Sequence, residues 1–354
     1  MSLFFELLQI ALGTREKLSR VPNAREWEAM YDEAERQAVV GVLLDGLERL
    51  PDEQLPPLEV KLQWIGEVQM MEAEYRQHLE KAVELTSRFR AVGFKSCVLK
   101  GVGTAQLYPH PERRQCGDID LWVSGRRKDV MRYMRSEYAV GSVKWHHVDV
   151  EIYDDVPTEI HFHPIWLYNP FRNRRLQRYF NEQKAAQMVE RDGGFGYPSV
   201  EFNAIYSLVH TFHHLMDEGV GLRHIVDYFY VLGKCHTDNT DITDILRVLK
   251  SIGLGKFAGA MMYVLKEACG MASEELLCEP DEEAGKFLLG EIMLAGNFGH
   301  FDSRTIRPEN ETFWQRNARK FRRQLRFVEY YHGEVFGAPV WKTWHKGWRM
   351  VNQR

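Results

Sequence analysis

The chain has 354 residues, 44% of them hydrophobic and 12% aromatic, with a formal charge of −4; that is enough apolar material for a large core in two or three domains, and the acidic balance excludes a general nucleic-acid binder with a basic surface. The five cysteines lack C-x-x-C spacing, which excludes a disulfide framework and a zinc ribbon. No run approaches the ~20 apolar residues that span a bilayer and the N-terminus has no basic n-region, so the expectation is a cytoplasmic protein.

Residues 1–92 read as a helical N-terminal region. Phe4, Leu7, Leu8 and Ala11 form a stripe at helical spacing. A second helix opens at Pro22 or Asn23 and carries Trp27, Met30, Tyr31 and Ala34, and a third covers Val39 to Leu50. After the prolines at 51, 56 and 57 a long helix runs from Leu58 to Ala91, with a break expected near Gly66. Gly93 ends it.

Residues 93–198 read as an α/β core. Cys97-Val98-Leu99 is a short strand ended by Lys100 and Gly101. Val102 to Tyr108 forms a short helix, and Pro109 and Pro111 force a loop. A second strand begins at Gly117-Asp118-Ile119-Asp120-Leu121-Trp122-Val123. Strand side chains alternate faces, so Asp118 and Asp120 point the same way while Ile119 and Leu121 enter the core. Two adjacent carboxylates repel unless a cation sits between them, and hard oxygen ligands suit magnesium.

After a helix over Lys128–Tyr138, β-like runs cover Val143–His147, Val148–Tyr153 and Thr158–Phe162, the first two readable as one strand. Glu159 is the favoured third carboxylate, with Asp149 and Glu151 as competitors. His161 and His163 share a strand face and, with His146 and His147, form a cluster that raises zinc and a metal-dependent hydrolase as an alternative. No H-E-x-x-H spacing accompanies it.

Residues 199–354 read as a helical C-terminal region. His210 and His214 lie one turn apart on a helix over Phe202–Met216. The segment 316–326 is basic through Arg316, Arg319, Lys320, Arg322, Arg323 and Arg326. The tail adds Lys342, Lys346 and Arg349 among Trp341, Trp344 and Trp348. Such a segment binds phosphate or an RNA backbone, docks on an acidic membrane, or is a solvated helix face.

The stretch from Leu79 to Leu232 resembles the polymerase-β-type nucleotidyltransferase superfamily, and within it the bacterial branch labelled "uncharacterised nucleotidyltransferase". The resemblance rests on Leu99-Lys100-Gly101, Tyr108-Pro109, Arg114 four positions before Asp118, Asp118-Ile119-Asp120-Leu121, Glu159-Ile160-His161, and Leu222-Arg223 with Asp227. Val102 stands where the superfamily turn has a second Gly or Ser, so the usual hydroxyl contact to phosphate is missing.

The resemblance implies an α+β fold: a small mixed sheet as the nucleotidyltransferase core between helical N- and C-terminal regions. It implies transfer of a nucleoside monophosphate from an NTP to an unidentified acceptor hydroxyl. Asp118, Asp120 and Glu159 would be catalytic residues holding two Mg2+ ions, with Mn2+ as a substitute. Lys100, Gly101, Arg114 and the following helix N-terminus would grip the triphosphate. The acceptor is a small molecule, a protein or an RNA. A catalytically degenerate nucleotide-binding or interaction module of the same fold is the other reading.

Overall fold

The computed structural model describes residues 2–305, 308 and 310–352. The N-terminal helices are α1 (Leu3–Leu12), α2 (Ala24–Gln37), α3 (Val40–Arg49) and α4 (Leu58–Ala91). Asn23 caps α2 in a reciprocal box with Glu26, which satisfies two otherwise orphan N–H groups. The expected break in α4 is absent. A Cβ at Gly66 would meet nothing within 4 Å, so this glycine costs only its ~1 kcal/mol propensity deficit, which the buried side of a 34-residue helix offsets.

The strands are β1 (Ser96–Val98), β2 (Ile119–Val123), β3 (Ala139–Val143), β4 (His147–Glu151) and β5 (Thr158–His161). Between them lie α5 (Val102–Ala105) and α6 (Arg127–Glu137). The sheet order is β1-β2-β5-β4-β3, with β2 and β5 parallel and the other pairs antiparallel. It is the small mixed sheet expected, and all described strands fall between residues 96 and 161.

One detail differs. The first of the three β-like runs starts earlier, at Ala139, and turns back through 144–146 into His147, so the first two runs form a hairpin rather than one strand. Gly141 and Ser142 hide the alternation of β3 in the sequence, while Trp145 leaves the ladder to stack on His163, with ring centroids 4.0 Å apart.

After the sheet come α7 (Pro170–Gln187), α8 (Val200–Asp217), α9 (Leu222–Thr237), α10 (Ile242–Ser251), α11 (Gly255–Cys269), α12 (Glu282–Ala295), α13 (Phe313–Gln324) and α14 (Val328–Asn352). The N-terminal helices also pack well away from the sheet. They share one apolar core with α8, α9, α11 and α12. Polar clips cross the same seam: Gln9 donates to the Glu267 carbonyl, Thr14 to Cys269, and Gln37 to Ile292.

A second core fills the other side of the sheet, where Leu85 and Phe89 of α4 and Val130 and Met134 of α6 meet Ile119, Leu121, Val148, Val150 and Ile160. Strand alternation therefore turns Asp120, Glu159, His161, His147 and Asp149 toward the helical body. No helix among the described residues is long and apolar enough to cross a membrane.

The basic segment is largely neutralised within the chain. Glu311 pairs Arg316 and Arg319, Asp217 pairs Lys320 at 3.1 Å, and Asp302 pairs Arg326 at 2.9 Å. Arg323 is buried and donates to the Leu215 carbonyl. The aromatic tail also turns inward. Trp341 packs edge-on against Trp145, Trp348 covers Arg127, and the Trp145 backbone N–H donates to His345 Nε2 at 3.1 Å.

Candidate functional site

The site lies on the face of β2, β5 and β4 that looks toward α8 and α14. Register sets it. In the parallel β2–β5 pair Asp120 lies opposite Glu159, and in the antiparallel β4–β5 pair Asp149 lies opposite Glu159. Glu159 is thus the middle of a row of three carboxylates. Asp118, just before β2, joins from the Gly101 side. One oxygen each of Asp118, Asp120 and Glu159 lies within 4.8 Å of the others. Glu151 is exposed at the strand end.

Lys100 supplies the nearest cation. Its Nζ is 3.1 Å from Asp118 Oδ2, a hydrogen bond, and 3.0 Å from Asp120 Oδ2 without hydrogen-bond alignment. Burial pushes the Asp118 carboxyl up, and Glu159 adds to that, but the Lys100 ammonium outweighs both and holds it below the usual range.

Asp120 is 1% exposed. His161 Nε2 lies 2.8 Å from its Oδ1 and 3.2 Å from Glu159 Oε2, while Asp120 Oδ2 has no hydrogen-bond partner among the described residues. Burial would raise Glu159 too. The His161 hydrogen bond and the charges of His147, His161 and Lys100 instead hold it well below the carboxylate range.

His147 and His161 both reach Glu159, at 3.1 and 3.2 Å. The strand ends at His161, and His163 turns away to stack on Trp145. The alternative chelate, in which His161 and His163 bind a zinc from one strand face, is therefore not formed; the histidines that meet at Glu159 are His147 and His161. Burial lowers the pKa of His147 and of His163 to about 4 in each case. Unfolded imidazoles titrate near 6.5, so the unfolded chain binds more protons between pH 6.5 and 4. Stability should fall as pH drops through that window, by up to about 1.4 kcal/mol per pH unit for each histidine. A thermal midpoint lower at pH 5 than at pH 7 checks the sign.

Gly101 holds φ +59 and ψ −123, a region that side chains avoid, and a Cβ there would lie 3.2 Å from the Asp118 carbonyl. Gly101→Ala should therefore cost about 1–2 kcal/mol and displace Asp118 from Lys100; urea unfolding of the variant measures the first. The helix that follows is a single turn, Val102–Ala105, so its dipole is small. Val102 is core, packed under the sheet, whereas the neighbouring Thr104 lines the cavity.

Two cavities meet at Lys100, Asp118, Tyr206 and His210. The smaller, about 290 Å³, contains the Gly101 turn, Thr104, Arg114 and Arg223. The larger, about 660 Å³, is walled by the carboxylate face, the histidines, Trp166 and the tail residues Trp341 and Lys342. Arg114 borders the smaller cavity, but its charge is already matched. Its Nε and Nη2 donate to both oxygens of Asp227 at 2.7 and 2.8 Å, and Tyr108 donates to the same carboxylate at 2.6 Å. Arg223 instead donates to the Gln115 carbonyl at 3.2 Å and makes no carboxylate pair among the described residues. The Leu222-Arg223 motif was its only sequence signal. Both arginines line the smaller cavity, and what separates them is that Asp227 already matches the charge of Arg114.

No curated protein matches the chain. A crystal structure of an antigenic nucleotidyltransferase-like protein from Paracoccidioides brasiliensis is similar at 13% identity and a TM-score of 0.28, covering 49% of this chain and 90% of that one; a likeness of that size carries no weight for the chemistry. The family model described as "Uncharacterised nucleotidyltransferase" matches residues 23–270, well over half of the chain. By that match the chain belongs to the uncharacterised nucleotidyltransferase family.

Proposed function

We propose that the chain transfers a nucleoside monophosphate from a nucleoside triphosphate to an acceptor hydroxyl and releases pyrophosphate. The convergence of Asp118, Asp120 and Glu159 within 4.8 Å supports this reading. The buried Asp120 Oδ2, which accepts no hydrogen bond among the described residues and faces the Lys100 ammonium at 3.0 Å, and an all-carboxylate donor set fit magnesium or manganese, hard cations that take oxygen ligands. Asp118, Asp120 and Glu159 would hold two such ions, which when bound neutralise phosphate charge and stabilise the attacking and leaving oxygens.

The chain's own residues do the rest. Lys100 and Arg223 bring positive charge to the walls of the smaller cavity, where the triphosphate binds. Gly101 leaves room for phosphate to approach the backbone. His161 keeps Asp120 and Glu159 aimed at one point. The larger cavity takes the acceptor, whether small molecule, protein segment or RNA end. The 316–326 segment is not assigned an RNA contact, because Glu311, Asp217 and Asp302 already engage Arg319, Lys320 and Arg326 along it.

The test is pyrophosphate release from a panel of nucleoside triphosphates with magnesium or manganese. Release dependent on the metal is expected. Lys100→Ala should weaken triphosphate binding by about 10-fold or more and change metal affinity less. Triphosphate binding without release would leave a nucleotide-binding module, and neither binding nor release would sink both readings.

A further inference from the structure

We infer that His210, His214 and His224 form a binding site for a transition-metal dication of the zinc class, separate from the carboxylate cluster. His210 and His214 sit one turn apart on the same face of α8, and His224 lies in the first turn of α9, brought back by the short turn at 218–221. The Nε2 atoms of His210 and His214 are 3.1 Å apart. One nitrogen from each of the three rings lies within 4.8 Å of the others. Nitrogens around a tetrahedral zinc at 2.0–2.1 Å stand about 3.3 Å apart, so the His210–His214 pair already has that spacing, with a His224 nitrogen within 4.8 Å of both.

Two further observations point to a ligand. His224 is 5% exposed, and its Nδ1 has no hydrogen-bond partner among the described residues. Leaving a buried imidazole nitrogen unpaired is costly, and a metal would satisfy this group of three. Glu218 Oε2 stands 3.5 Å from His214 Nδ1, the arrangement in which a carboxylate orients a metal-binding imidazole. Phe298, at φ +53, closes the site edge-on against His214 and His224.

Imidazole donors select zinc, copper or nickel over magnesium, so the two sites would not compete for one ion. His210 borders both cavities beside Lys100 and Asp118. The open coordination position would therefore face bound substrate.

The site is tested without any turnover assay. Metal-free full-length chain is titrated with zinc chloride by calorimetry, and with cobalt chloride followed by visible absorption. One equivalent of zinc is expected, with a cobalt spectrum of low-coordinate nitrogen ligation. His214→Gln and His224→Gln should each weaken zinc binding by about 100-fold or more, with circular dichroism unchanged. Asp118→Asn and His147→Gln should leave zinc affinity within about 2-fold of wild type. Wild-type affinity retained in both histidine variants, or loss of the zinc in His147→Gln instead, would overturn the assignment, the latter by placing the ion at the His147–Glu159–His161 group. Because the readout is occupancy, its failure would leave the nucleotidyl-transfer reading untouched.

Discussion

Asp118→Asn and Asp120→Asn should each reduce nucleotidyl transfer by at least about 1000-fold, equivalent to ~4 kcal/mol of transition-state stabilisation, while the chain stays folded. Each change keeps side-chain volume and removes one negative charge. In Asp120→Asn the remaining side-chain carbonyl oxygen can still accept from His161, as Asp120 Oδ1 does at 2.8 Å. Lys100 is the lysine that opposes the three clustered carboxylates, at 3.1 Å from Asp118 and 3.0 Å from Asp120. Lys100 favours the ionised Asp118 over burial and the repulsion from Glu159, so losing either charge gives up that attraction while easing the repulsion among the carboxylates, and unfolding free energy should change by no more than about 1 kcal/mol. Magnesium affinity should drop with activity. Metal titration, steady-state pyrophosphate release and urea unfolding on the same preparations separate these effects. Wild-type turnover in both variants would refute the assignment of the site.

Breaking the Arg114–Asp227 pair should give the largest loss of stability. Both side chains are buried, and Asp227 accepts from both Arg114 nitrogens and from Tyr108. Arg114→Ala leaves that carboxylate buried without its cation, which costs about 3–5 kcal/mol. Arg114→Lys should restore little, because one ammonium cannot form the planar two-pronged contact. The double variant Arg114→Met with Asp227→Leu should lose much less than the two single losses combined, since no orphan charge remains. Urea unfolding of wild type, the two single variants Arg114→Met and Asp227→Leu, and the double variant completes the cycle. Additive losses would mean the two residues act separately, against the geometry seen here. The pair clips the loop before β2 to α9, so its rupture should also disturb Asp118.

Much of the candidate site was legible because its rules are local. The alternation in Asp118-Ile119-Asp120-Leu121 assigned faces correctly, since a strand repeats every two residues whatever packs on it. The helical stripe at Phe4, Leu7, Leu8 and Ala11 needed only the 3.6 period, and all four lie in the observed core. Where local signal was weak, the reading failed. Gly141 and Ser142 masked β3, and the break expected at Gly66 mistook a small propensity cost for a boundary.

Other features depend on residues far apart in sequence. Nothing in the local pattern at Arg114 reveals that Asp227, 113 positions on, takes its charge. Nothing around His161 shows that His147, not His163, meets it at Glu159; that depends on where β5 ends and how β4 registers beside it. The i,i+4 spacing of His210 and His214 is plain in the sequence, but His224 joins them only because α9 packs on α8. The sequence alone determined the strand faces, the helical stretches and the acidic motif, because these follow from backbone geometry and side-chain period. Tertiary structure decided which cation meets which carboxylate and which histidines gather, because strand register and helix packing are set by burial across the whole core rather than by neighbours along the chain.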